Sequence, residues 1–274
     1  MRLTRITVEE KTFVARRQED HYVVLPFANL DQLFDQKNWR EIAAAEGPHI
    51  PLADARYENL LQPAHVFCIG LNYKGHIQET AKPTPEYPTV FAKFASSLTG
   101  PQSDIALPKH SNEVDWEVEL GIVIGKPAKN VSVSHASEYI AGYTVVNDIS
   151  MRDWQSRTNQ WFQGKNFEAT TPVGPYLVTP DEIDGARDLR ISCSIDGEIM
   201  QDGRTSDLLF GPEELVAYIS QFTTLLPGDL IASGTPSGVG MAKVPKRFLQ
   251  DGEVLVSEIE GIGLLVNRFV STGQ

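Results

Sequence analysis

Cysteine is almost missing from this chain: two among 274 residues, Cys68 and Cys193. Each lies in an apolar, strand-like run (Val66-Phe67-Cys68-Ile69 and Ile191-Ser192-Cys193-Ser194-Ile195). They read as reduced core residues, not as a disulfide or a catalytic pair. No apolar run approaches the ~20 residues a bilayer span needs. Residues 1–10 lack the apolar stretch of a signal peptide, so the expected compartment is the cytoplasm. A basic excess is missing too: 24 Lys and Arg stand against 36 Asp and Glu, a net charge of -12. That balance excludes nucleic acid and anionic membrane as expected partners, because phosphate binding needs concentrated Lys and Arg. A small anionic substrate stays open, since a metal ion and a few basic side chains can invert the local field. No internal repeat or low-complexity segment is visible.

What is present suffices for a large core: 41% of residues are hydrophobic. The length predicts one large domain or a main domain with a smaller appendage. Residues 1–62 read as a small α+β domain, with a strand set ending at Val23-Val24-Leu25 and helical spacing over 31–45 through Leu33, Phe34, Ile42 and Ala43. Gly47-Pro48 stops that helix, and a turn-rich stretch follows. Residues 63–274 form the second unit, with strands expected at 66–69, 116–124, 139–146, 176–178, 189–195, 230–233 and 254–270. Asp196-Gly197, Asp251-Gly252 and Glu260-Gly261 supply turns. Helical signals are few: a capping box at Thr179-Pro180-Asp181-Glu182, and an amphipathic stretch over 212–222. The expected class is a β-rich mixed α/β fold, not a doubly wound sheet.

Within the strand at 116–124, Trp116, Val118, Leu120, Ile122 and Ile124 share one face, while Asp115, Glu117 and Glu119 line the other. Acids are poor strand formers. Two carboxylates about 7 Å apart repel by roughly 0.6 kcal/mol in water and about 2.4 kcal/mol at an effective dielectric of 20. Either these acids coat a wet face, or a hard divalent cation with oxygen ligands sits there.

Three further clusters bear on that choice. The apolar run 139–147 ends in Asp148, an acid that either completes a three-carboxylate set or caps the next segment. Arg152, Gln155 and Lys165 follow; the cations either neutralise the acids or bind a substrate carboxylate. If the chain turns helical after Asn72, His76 and Glu79 share a face at i, i+3. They form either a surface pair or a carboxylate-oriented imidazole able to activate water. Gly234-Thr235-Pro236-Ser237-Gly238-Val239-Gly240 allows close backbone approach to a ligand but lacks a phosphate-loop ending.

Taken in order, these motifs resemble the fumarylacetoacetate hydrolase family. The likeness runs through Gly70-Leu71-Asn72-Tyr73-x-x-His76-x-x-Glu79, Ser96-Ser97-Leu98-x-Gly100, Glu117-Val118-Glu119-Leu120, Asn147-Asp148-x-Ser150-x-Arg152-Asp153-x-Gln155, Gly164-Lys165 and Gly234-Thr235-Pro236-x-Gly238-Val239-Gly240. The resemblance implies the mixed β-sheet roll of that family's C-terminal domain and a homodimer. It implies Glu117, Glu119 and Asp148 as ligands of Mg²⁺ or Mn²⁺, and His76 and Glu79 as a water-activating dyad on a lid over 74–88. Lys165 matches the active-site lysine, and Arg152, Gln155, Thr235 and Tyr73 match substrate-contacting positions. Asn166-Phe167-Glu168-Ala169-Thr170, Phe94 and Ser233 depart from the common family pattern without removing a matched residue.

The activity implied is that of a C–C bond hydrolase. It would cleave a 2,4-diketo acid (an acylpyruvate, with fumarylpyruvate as the expected substrate in aromatic-compound catabolism) to pyruvate and a carboxylic acid. The alternative is a decarboxylase or isomerase acting on oxaloacetate or a 2-oxo-heptene- or diene-dioate through the same enolate chemistry.

Overall fold

Main-chain pairing in the computed structural model, which describes residues 1–271, is organised around a twelve-stranded sheet. Its path runs His49–Pro51, His21–Val24, Lys11–Arg17, Arg2–Val8, Thr171–Val178, Ile140–Asn147, Val118–Ile124, Leu230–Ala232, Val66–Gly70 and Thr89–Lys93. Two short strands, Arg56–Tyr57 and Leu98–Thr99, pair off this path. A five-stranded sheet of Glu198–Arg204, Arg190–Ile195, Val254–Ile259, Gly263–Ser271 and Ile105–Leu107 packs against the centre. This is the β-rich mixed fold expected, with few and short helices.

Val118–Ile124 and Ile140–Asn147 are buried at every position. Strands covered on both faces carry near-continuous apolar runs, which explains why both segments read so hydrophobic. Their antiparallel register pairs Val118 with Asn147 and Glu119 with Val146. Beyond the last pair the Asp148 N–H donates to the Glu117 carbonyl at 2.8 Å. The acidic end of one strand is thereby fixed against the acidic end of the other. The second sheet is tied to this corner by side chains: Gln201 Oε1 accepts the Val118 N–H at 3.0 Å, and Asn147 Nδ2 donates to Ser257 Oγ at 2.8 Å.

The N-terminal segment continues the same sheet, with Arg2 opposite Val178 and Leu3 opposite Leu177. The helix expected over 31–45 is two short helices, Leu30–Phe34 and Trp39–Ala44. The polar residues 35–38 between them offer nothing to bury and compete for backbone hydrogen bonds. The edge-on contact of Phe34 with Trp39, centroids 5.0 Å apart, closes the corner. Pro212–Phe222 is helical as the spacing predicts, and Glu214 Oε2 accepts the Gly211 N–H at 2.7 Å. The strand expected over 254–270 is a hairpin turning at Glu260-Gly261. Residues 180–182 make a single 3-10 turn. Among the described residues no helix is long and apolar enough to cross a membrane.

Candidate active site

Glu117, Glu119 and Asp148 converge: each offers a carboxylate oxygen, all within 4.8 Å of one another, and all three residues are buried. Asp115 does not join them. The chain leaves the sheet at Trp116, so Val114–Asp115 pairs with Ser150–Met151 instead. Asp115 turns to Arg152 Nε at 2.8 Å and accepts the backbone N–H groups of Gly240 and Met241. The alternation expected for the three acids therefore fails at its first member.

Three buried cations face the triad. Lys165 Nζ lies 2.6 Å from Glu117 Oε2 and 2.8 Å from Asp148 Oδ2. Lys93 Nζ lies 2.5 Å from Asp148 Oδ1, and Arg152 Nη1 2.7 Å from Glu117 Oε1. Burial pushes the Glu117 carboxyl up, but Lys165 and Arg152 beside it outweigh that and bring it down to about 2. Glu119 has no such partner among the described residues; its recorded hydrogen bond comes from the Gly234 N–H at 2.8 Å. Burial first, then Asp148 and Glu117, hold its carboxyl well above the usual range. Burial disfavours the Lys165 ammonium, yet Asp148 and Glu117 overcome this and raise its pKa.

A dication fits this donor set. The ligands are all oxygen, as hard cations such as Mg²⁺ and Mn²⁺ require, and Glu119 is a buried acid that no cation neutralises. The structure thus brings together the three acids the sequence singled out, as a buried carboxylate triad suited to a divalent metal.

Helix Lys74–Glu79 sets His76 Nδ1 3.0 Å from Glu79 Oε2. Glu79 Oε1 accepts the Gly238 N–H at 2.9 Å, joining the helix to the glycine-rich loop. Gly238 has φ +104, and a Cβ there would lie 2.1 Å from the Met200 carbonyl oxygen, so only glycine brings that N–H so close. The helix start is pinned by Asn72, whose amide nitrogen donates to Phe210 and Ser233 carbonyls at 3.0 and 2.8 Å. The Gly75 N–H donates to Asp207 Oδ2 at 3.0 Å.

His76, Glu79, Glu117, Glu119, Arg152 and Lys165 all line one cavity of about 490 Å³. Gln155 and Thr235 line it too. Gln155 Oε1 accepts from Arg152 Nη1 at 2.9 Å. The Thr235 hydroxyl donates to the Val118 carbonyl and accepts from Gln201 Nε2. Arg152 Nη2 is buried and has no hydrogen-bond partner among the described residues, a free donor at the cavity. Tyr73 is placed differently: it is fully buried in the core and does not line the cavity, because the residue before the helix points into the packed interior. A larger cleft of about 810 Å³ lies beside Phe34 and Trp39, and it holds none of the converging carboxylates.

Sequence reasoning missed Lys93 and Trp161, gave Asn147 no role, and placed Asp115 on the wrong face. Lys93 looks like an ordinary strand lysine; its signal is position, since strand Thr89–Lys93 pairs beside Val66–Gly70 and delivers its last residue to Asp148. Asn147 Oδ1 accepts the Glu117 N–H at 2.9 Å and so fixes the backbone that carries that carboxylate. The Trp161 ring lies over Gly70, where a Cβ would stand 2.2 Å from it, and meets Phe91 edge-on at 5.7 Å.

A β-rich fold with a buried acid triad, facing lysines and a His–Glu pair lining the same cavity makes a candidate enzyme site suited to a divalent metal. The fumarylacetoacetate (FAA) hydrolase C-terminal domain pattern matches residues 65–270. The chain belongs to this family of enzymes. It is 43% identical over 234 residues to the human "Oxaloacetate tautomerase FAHD2A, mitochondrial", covering 84% of this chain and 74% of that protein. Its structure resembles a putative HpcE protein from Mycobacterium smegmatis at 36% identity, with a TM-score of 0.91 and full coverage of both chains. It also resembles fumarylpyruvate hydrolase from Pseudomonas aeruginosa, solved with Mn²⁺ and pyruvate, at 32% identity and a TM-score of 0.71 over 77% of this chain and 91% of that one.

Proposed function

We propose that this chain is a divalent-metal-dependent isomerase that interconverts the keto and enol forms of a small 2-oxo dicarboxylate, with oxaloacetate as the substrate. The observation that carries this reading is His76, held by Glu79 at 3.0 Å in the wall that also presents Glu117 and Glu119 of the acid triad. Tautomerisation needs one positioned group to move a proton, and no second nucleophile. The similarity to oxaloacetate tautomerases supports this outcome over acylpyruvate hydrolysis, the activity expected from sequence.

Because Glu79 occupies Nδ1, Nε2 is the imidazole nitrogen left to accept a proton. His76 removes a proton from C3 of the keto acid. The electron pair moves into the C2–C3 bond, negative charge develops on the 2-oxo oxygen, and the His76 imidazolium returns its proton to that oxygen to give the enol and restore the neutral base. Glu117, Glu119 and Asp148 would hold Mg²⁺ or Mn²⁺, which would supply positive charge to stabilise that developing charge. Lys165 stays an ammonium between Glu117 and Asp148 and keeps both carboxylates oriented. Arg152 Nη2 is free to donate to a substrate oxygen.

A small anionic ligand and a homodimer belong to the same reading. The exposed edge-on pair of Phe94 and Phe162, centroids 5.1 Å apart, supports an apolar partner surface. The two buried free cysteines suit a reducing compartment, of which the cytoplasm is one.

A substrate panel tests the function. Mg²⁺-loaded protein should accelerate loss of the enol absorbance of oxaloacetate without releasing CO₂. Cleavage of an acylpyruvate, with oxaloacetate enolisation left at its background rate, would restore the hydrolase reading.

A further inference from the structure

The helix that carries His76 and Glu79 also ends in an unusual way. The Ala81 N–H donates to the Gln78 carbonyl at 3.1 Å, and the Lys82 N–H to the Ile77 carbonyl at 3.3 Å. These are the two crossed bonds of a Schellman termination, with Ala81 in the left-handed position that glycine normally fills. Ala81 has φ 51, a conformation costing a residue with a Cβ about 1–2 kcal/mol. Pro83 follows and restricts Lys82 to extended backbone. A fixed turn before it and a proline after it thus set where Lys82 stands.

Lys82 stands at the cavity wall, exposed. Every other Lys or Arg of that wall has its charge in ion pairs: Lys165 with Glu117 and Asp148, and Arg152 with Asp115 and Glu117 through Nε and Nη1, which leaves only its Nη2 open as a donor. Among the described residues the Lys82 ammonium enters no ion pair or hydrogen bond. It is the uncommitted positive charge in a wall that also holds Glu79, Glu117 and Glu119. A monoanionic keto acid has little need of it. A dianionic one brings a second carboxylate that two already neutralised cations cannot balance.

We infer that Lys82 is the specificity-determining residue for the distal carboxylate, selecting dicarboxylic 2-oxo acids over monocarboxylic ones. This rests on the proposed function for the identity of the ligand. It also makes one short element the carrier of both proton transfer and charge selection. Strain retained at Ala81 is consistent with such a role, since unfavourable backbone states persist where position matters.

The test is calorimetry on Mg²⁺-loaded protein with 3,3-difluoro-oxaloacetate and its 4-methyl ester, neither of which can enolise. Wild type should bind the diacid at least about tenfold more tightly than the ester, the size of one charge-assisted contact. In Lys82→Ala the ratio should fall to near one, and Lys82→Arg should restore most of it. A diacid preference unchanged in Lys82→Ala, or absent in wild type, overturns the inference. Collapse of the ratio in a protein that does not accelerate oxaloacetate enolisation supports the clamp while rejecting the proposed reaction.

Discussion

Glu79 divides its carboxylate between two partners: Oε2 lies 3.0 Å from His76 Nδ1, and Oε1 accepts the Gly238 N–H at 2.9 Å. One side chain therefore orients the imidazole and fastens its helix to the glycine-rich loop. His76→Ala should lower kcat by about 10²–10⁴-fold, the usual worth of a positioned acid–base group, while Mn²⁺ affinity stays at the wild-type value. Glu79→Gln should lower kcat less, because the amide keeps one accepting oxygen but must turn its NH₂ toward His76 or Gly238. Steady-state kinetics paired with metal titration checks both. Loss of metal binding in His76→Ala would make that residue structural.

The acids of the triad should respond in opposite senses to neutral substitution. Asp148 is held by both Lys93 and Lys165, so Asp148→Asn strands the buried Lys93 ammonium, leaves Lys165 with Glu117 alone, and should destabilise the metal-free protein by about 3–5 kcal/mol. Glu119 is pressed by burial and by Asp148 and Glu117 without a cation of its own. Glu119→Gln should therefore leave the metal-free protein as stable as wild type or more so. Denaturant unfolding in excess chelator measures the difference. Equal losses in both variants would contradict the charge arrangement described here.

A tyrosine cluster sets the alkaline limit of stability. Tyr57 lies 2.6 Å from Tyr176 and 3.2 Å from Tyr22, oxygen to oxygen, and Arg17 donates to Tyr176. Burial, then the hydrogen bond with Tyr176, pushes the Tyr57 hydroxyl from 10.0 to about 12. A group raised in the folded state stabilises it fully below the unfolded value, and that contribution is lost as pH climbs through the folded one. Stability should accordingly decline between pH 10.0 and about 12, and Tyr57→Phe should remove part of the decline. Urea midpoints across that range, read beside tyrosinate absorbance, would reveal it; identical alkaline profiles for the two proteins would refute it.

Gly70 lets the Trp161 ring lie on the backbone at the end of strand Val66–Gly70, beside Phe91. A Cβ at 2.2 Å from that ring forces it away. Gly70→Ala should cost about 1–3 kcal/mol as overpacking and shift tryptophan emission as Trp161 leaves the cavity wall. An unchanged spectrum and melting temperature would show that the contact is loose.

Much of this site is legible one residue at a time. Glu117 and Glu119 announce themselves because acids two apart interrupt a strand that is otherwise apolar, and the His76–Glu79 spacing needs only a helix to meet. Asp115 misleads for a physical reason: alternation holds only while the chain stays in one sheet, and here it changes partner at Trp116. Lys93 is invisible because its importance comes from pairing between distant strands, and nothing local separates a buried lysine from a solvated one. The continuation of the sheet through Arg2–Val8 onto Thr171–Val178 is hidden for the same reason. Tyr73 shows the converse, since a motif position predicted contact where packing places a core residue.

The central claim is that Glu117, Glu119 and Asp148 together hold one divalent ion. Manganese titration followed by electron paramagnetic resonance tests it most directly, on wild type and on folded Glu119→Gln. Wild type should bind one Mn²⁺ per chain, and the variant should lose most of that affinity. Undiminished binding in Glu119→Gln would contradict the claim.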